Sequence, residues 1–308
     1  MTYSIVARDP ETGELGVAVQ SHFFGVGSLV PWVQAGVGVI ATQSIVEPSY
    51  GSEGLRMLAA GIAPHEALAA LVAADPGAAR RQVAFLDARG EAAVHTGEDC
   101  IGQAGSAASA NARSQANLVA GPRVWTSMVE TFEASEGSMA ERLLASLRAA
   151  ESHGGDLRGR QAAAIKVVRG TATGDLTVDL VTDLRVDDAD DPLADLSRLV
   201  VRSTALGGLI RLLSAPGLLS GEFTATPAEV ADALAELERA QQLSGPGNTE
   251  ATVWRGLLLA RAGRGDEARA AFAHARTTNP RVRQLVIELA AARMWPRTRD
   301  ELDALLPD

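Results

Sequence analysis

The sequence predicts an α+β protein: two antiparallel β-sheets covered by helices, followed by an all-helical extension. Three observations predict it. Alternating apolar runs, Thr2–Arg8 and Leu15–Ser21, flank the turn-rich segment Asp9-Pro-Glu-Thr-Gly-Glu14, as in a β-hairpin. Strand-like segments come as groups before and after a helical block, which points away from a doubly wound parallel sheet. Residues 226–306 carry helical periodicity almost throughout.

The elements follow in order. Val37–Gln43 reads as a third, buried strand. Residues 54–74 show helical spacing through Leu55, Leu58, Ile62, Ala67, Leu68 and Leu71, and Pro64 splits the stretch into two helices. Gln82–Asp87 and Ala92–Thr96 form another hairpin, with Arg89-Gly90 in its turn. Residues 102–117, rich in Gly, Ser, Ala and Asn, read as a loop. Val119–Ala134 and Met139–Ser152 are helices, the second stopped by Gly154-Gly155. Ala162–Val168 and Leu176–Thr182 are strands joined by Gly170–Gly174. An acidic joint, Asp187–Asp191, leads into a helix over 193–213. The domain reading is 1–213, a linker at 214–225, and a helical domain at 226–308. Within the last, Gly263, Ala268, Phe272, Ala275 and Pro280 match half of a tetratricopeptide repeat, with Trp254 and Leu257 out of register. A degenerate repeat of this kind is expected to dock on its own protein or on a partner.

Composition bounds the function. The 308 residues carry a net charge of -10, against the basic stripe of a nucleic-acid binder and against an anionic membrane surface. Lys166 is the only lysine and Cys100 the only cysteine, which fits a reducing compartment. No signal peptide and no apolar run of about 18 residues is visible, so the expectation is a cytoplasmic protein. The five histidines have no metal-ligand spacing, and the Asp187–Asp191 run lacks the glycine and distal Glu of a calcium loop. No metal or cofactor is called for.

The candidate chemistry clusters in three places. Thr2 follows the initiator Met; if Met1 is removed, Thr2 carries a hydroxyl nucleophile beside a free α-amine of pKa near ~8, able to act as its base. The alternative is an ordinary strand-start threonine. The segment Gly154-Gly-Asp-Leu-Arg-Gly-Arg-Gln161 holds Asp156, Arg158 and Gln161, and its glycines imply a special backbone shape. Arg158 suits a substrate carboxylate, and Asp156 suits either that Arg or an amine. Gln115 and Asn117 supply amides near a strand end, as do the pairs Ser21-His22 and Gln43-Ser44. Loop capping and strand-end polarity are the plain alternatives.

The segments Tyr3–Asp9, Gly36–Gln43, Gln115–Gly121, Gly154–Gln161 and Leu184–Asp188 resemble the DUF1028 family, in order and with its gaps, from residue 1 to about 200. The resemblance implies an N-terminal-nucleophile (Ntn) hydrolase-like αββα sandwich of four layers, and, by analogy with such sandwiches, a homodimer. Proteasome-like members of that fold carry an Asp on the second strand and a Lys at the end of the third. Here those neighbourhoods offer Gln20-Ser21 and Gln43-Ser44, so peptidase activity is not implied. The leading expectation is hydrolysis of an amide bond in a small polar metabolite. Thr2 would be the nucleophile, and Asn117 and Gln43 donors to an oxyanion or substrate. Asp156 would fix the amine, with Arg158, Gln161, Ser21, Ser44 and Gln115 lining the substrate. The alternatives are a non-catalytic ligand-binding scaffold whose helical tail recruits a partner, and a hydrolase using Ser21 or Ser44.

Overall fold

The computed structural model describes residues 2–291 and 299–306. The opening hairpin is β1 (Thr2–Arg8) and β2 (Leu15–Ser21). Its connector turns because Asp9 Oδ1 accepts the backbone N–H groups of Glu11 (2.8 Å) and Thr12 (3.1 Å), and Gly13 supplies a φ of 75°. Next come β3 (Pro31–Gln34), β4 (Gly38–Ser44), α1 (Ser49–Ala59) and α2 (Pro64–Ala74), the last two parted by Pro64 as expected. The hairpin β5 (Arg81–Asp87) and β6 (Ala92–Thr96) follows, then β7 (Gly105–Ala108), β8 (Ala112–Asn117), α3 (Arg123–Ala134), α4 (Met139–Ser152) and β9 (Ala162–Val168). A single turn, α5 (Leu176–Asp179), precedes β10 (Leu180–Val186) and α6 (Pro192–Ser214).

The strands form two antiparallel sheets, β10-β9-β2-β1-β8-β7 and β3-β4-β5-β6. Period-two alternation along each strand divides the apolar residues into three cores. Tyr3, Ile5, Ala18 and Ile165 pack under Met128 and Phe132 of α3 and Leu143 and Leu147 of α4. Val6, Val17 and Val19 face Val39, Ala41 and Leu86 between the sheets. Ile40 and Phe85 pack against Tyr50, Leu55 and Leu68 of the α1–α2 layer. The order of layers is therefore helix, sheet, sheet, helix. Close approach of α1 to its sheet requires glycine: a Cβ on Gly54 would lie 2.4 Å from Phe85 Cζ and 2.6 Å from Ile40 Cδ1.

Three expectations need correction. Residues 102–117 are not a loop: β7 and β8 form a hairpin whose inner strand pairs with β1. Their Ala, Ser and Gln content hides the alternation, but Ala112 and Ala116 are buried under α3, so pairing and packing decide the conformation. Leu176–Asp179 is a helical turn, not strand, because the Asp175 carboxylate caps it by accepting from Thr177 N (2.9 Å). β3, four residues long, had no sequence-level counterpart.

The chain divides into two compact units, Met1–Val200 and Val201–Asp308. The division falls inside α6, upstream of the segment read as a linker. The second half of α6 supplies Ala205 and Leu209 to the core of the second unit, together with Leu219 and Val230. That unit continues with α7 (Pro227–Ser244), α8 (Glu250–Arg261), α9 (Gly265–Thr278), α10 (Val282–Ala291) and α11 (Arg299–Leu305). Gly256 of α8 lets Phe272 of α9 approach closely, since a Cβ there would sit 2.6 Å from the Phe272 ring. The part of the predicted helical tail at 292–298 lies outside the described residues. No helix of the described residues is long and apolar enough to cross a membrane.

Candidate functional site

One end of the two-sheet sandwich is polar inside. There β1, β4, β5 and β8 turn Thr2, Ser4, Gln43, Gln82, Gln115 and Asn117 into the space that valines and alanines fill farther along. All six are buried, and their polar groups satisfy one another in large part, as burial requires.

Gln82 is the centre of this network. Its Oε1 accepts from Gln43 Nε2 (2.8 Å) and Asn117 Nδ2 (3.0 Å). Its Nε2 donates to Ala116 O (2.9 Å), Thr96 Oγ1 (3.1 Å) and Gly105 O (3.2 Å). One side chain thus ties the smaller sheet to the larger. Gln43 also donates to the Thr2 carbonyl (3.2 Å) and accepts from Ser4 Oγ (2.7 Å). Gln115 donates to Ala41 O (3.0 Å) and Ser4 Oγ (3.3 Å). Two buried acceptors, Asn117 Oδ1 and Gln115 Oε1, have no hydrogen-bond partner.

Thr2 stands at the open end of this network, opposite Asn117 in the β1–β8 register. Its Oγ1 donates to Ser21 Oγ (3.1 Å), and Arg158 Nη2 donates to the same oxygen (3.3 Å). Arg158 is held by Asp156, whose carboxylate is fully buried and lies 3.1 Å from Arg158 Nη2. Asp156 further accepts the backbone N–H groups of His22 (3.0 Å) and Arg158 (2.9 Å). These bonds satisfy a buried charge that would otherwise cost several kcal/mol. The loop reaches this shape through Gly154, Gly155 and Gly159, with φ of 102°, 48° and 103°.

The structure therefore brings Thr2, Ser21, Asp156 and Arg158 together and joins them to Gln43, Gln115 and Asn117. Gln43 spends its amide N–H groups on Gln82 and on carbonyls, whereas Asn117 Nδ2 makes one hydrogen bond. The Gln161 side chain turns away to Asp188 Oδ1 (3.0 Å), and only its backbone touches this region, donating to Ser21 O (3.2 Å). Ser44, with a φ of 72°, ends β4 with a buried hydroxyl that has no partner. Met1 lies outside the described residues. Sequence reading missed Gln82 and Ser4. Their signal was phase: Gln82 shares the inward face of its strand with Ala84 and Leu86, where a solvent-facing amide is not expected.

The opposite face of β1 carries a second polar feature. Tyr3 Oη donates to Glu151 Oε2 (2.8 Å), and burial, with the Glu151 carboxylate, pushes the phenol well above its ordinary pKa. Beside it Gln20 is fully buried, with neither end of its amide hydrogen-bonded. Among the described residues no group of three acidic, His or Cys side chains is placed to hold a metal ion. Cavities of about 430 and 510 Å³ lie in the helical unit, lined by residues such as Arg202, Leu206, Asn248 and Trp254, and no sequence-predicted site residue lines them.

The family model described as "Family of unknown function (DUF1028)" matches residues 2–196. The crystal structure of a Silicibacter pomeroyi protein of that family is similar at 32% identity and a TM-score of 0.60, covering 66% of this chain and 89% of that one. No curated protein matches.

Proposed function

This chain belongs to DUF1028, and because the description of that family assigns no function, we propose one from the strand-end site: hydrolysis of a C–N amide bond in a small molecule, with Thr2 as nucleophile. The observation that carries the reading is the relay of Thr2 Oγ1, Ser21 Oγ and Arg158, fixed by a buried Asp156. It sets a cation near the threonine hydroxyl, where neither neighbouring strand end supplies a charge. A cation there favours both a neutral α-amine and an ionising hydroxyl.

The route needs Thr2 to be exposed as the first residue. Its α-amine then takes the Oγ1 proton as Oγ1 attacks the carbonyl carbon. The tetrahedral oxyanion would be met by the remaining N–H of Asn117 Nδ2, directly across the ladder. The C–N bond breaks as the α-amine passes its proton to the leaving amine. Water then cleaves the Thr2 ester by the same steps in reverse, releasing the acid. Gln43 positions rather than reacts: its N–H holds the Thr2 carbonyl. Ser21 orients the hydroxyl.

The test pairs intact mass with turnover. Active protein is expected to lack Met1, and Thr2→Ala is expected to lose at least about a thousandfold in kcat on an amide library, with partial rescue by Thr2→Ser. Active protein that retains Met1, or a Thr2→Ala variant that turns over normally, refutes the reading.

A further inference from the structure

Five large apolar side chains stand exposed on the loops around this site: Phe23, Phe24, Ile45, Ile101 and Leu157, each between 49% and 66% accessible. Single exposed hydrophobes are ordinary, whereas several at the strand ends that hold one polar network are not. Their placement ties each to the site. Phe23 and Phe24 follow His22, whose N–H bonds Asp156. Leu157 separates Asp156 from Arg158, and its N–H bonds Leu118 O (3.4 Å). Ile101 O accepts from Leu118 N (3.1 Å), one residue past Asn117. Ile45 lies two residues past Gln43 and donates from its backbone to Arg80 O (3.2 Å). Both sheets contribute, at the end of the sandwich that holds the polar network. At the far end of the same strands the connections 9–14, 88–91 and 109–111 are polar or small, while Leu176 and Val178 are exposed ahead of β10.

We infer that this rim recognises an apolar group on the substrate, so that the site takes amides bearing a medium-chain alkyl or aromatic moiety. The inference rests on the amidase reading of Thr2. A polar floor under an apolar collar is the division of labour expected of a small-molecule site: few placed polar groups orient, and apolar walls supply affinity. The occupant is a small molecule and not a second copy of the chain. Five half-exposed side chains present roughly a few hundred Å², well under the roughly 800 Å² per partner of a standard interface. The unit also has an edge strand, β10, with Leu180 and Val181 exposed, which is the ordinary place for chains to pair.

The experiment is a rate series on N-acetyl-, N-octanoyl- and N-phenylacetyl-glycine, with binding of the same compounds measured by calorimetry. The octanoyl and phenylacetyl compounds are expected to exceed the acetyl one at least tenfold in kcat/KM. Phe24→Ser and Leu157→Ser, both at exposed positions, are expected to cut that ratio at least threefold. Turnover without chain-length preference overturns the rim and leaves the amidase reading standing. Absent turnover with chain-length-dependent binding that the two variants weaken upholds the rim and overturns the amidase reading. Absence of both, with self-association lost in the two variants, overturns both and makes the rim an interface between copies.

Discussion

Replacing Gln82 by Met keeps nearly the same volume while deleting the five polar contacts at the centre of the network. Its loss leaves the Asn117 amide, fully buried and already without a partner on Oδ1, with no hydrogen bond from its side chain. Ala116 O loses a 2.9 Å bond, whereas Gln43 retains Thr2 O at 3.2 Å. An orphaned buried polar group costs about 1–3 kcal/mol, so two such groups predict a loss of about 2–6 kcal/mol. For a unit of this size that is about 4–24 °C in the melting transition. Calorimetry on the full chain reads it, and the double cycle of Gln82→Met with Asn117→Leu gives the shared part. The two changes should couple by about 1–3 kcal/mol, because the Leu removes the group that Gln82→Met strands. A shift below about 1 °C, or costs additive within about 0.5 kcal/mol, would refute Gln82 as the tie between the sheets.

Two further outcomes follow from the layer over the smaller sheet. Tyr50 Oη donates to Asp75 Oδ2 (3.2 Å), and burial, reinforced by that carboxylate, raises the phenol to about 12. The neutral phenol is favoured by folding, so its contribution is complete below the ordinary value of about 10 and is lost as pH rises through about 12; urea titrations should show wild type losing stability in that window and Tyr50→Phe losing less. Gly54→Ala gains up to about 1 kcal/mol of helix propensity but drives a methyl into Phe85 and Ile40. Overpacking of about 1–3 kcal/mol should win, and a melting transition raised by the substitution would contradict the close approach of α1.

Much of the fold was legible because its strongest signals are local. The Asp9–Glu14 turn, the Pro64 break and the Gly154-Gly155 stop each act within a few residues. β8 was not legible, because Ala112, Ser114 and Ala116 carry no apolar pattern of their own. They are strand only through β1 on one side and β7 on the other. The same distinction governs the site. Asp156 and Arg158 sit two residues apart among glycines, so their pairing was readable. The link from Gln82 to Asn117 crosses sheets, and spacing along the chain carries no trace of it.

The place of β1 within its sheet has a kinetic consequence. The strand lies between β2, its immediate successor, and β8, more than a hundred residues farther on, and β2 in turn waits for β9. During synthesis the Thr2 strand can pair on one side early, yet its other edge stays open until the chain has grown past residue 117. Long-range pairing of this kind slows folding and exposes strand edges to aggregation. On the proposed reading Thr2 is thus housed late, and N-terminal processing, which that reading requires, would find its strand accessible before the second edge pairs.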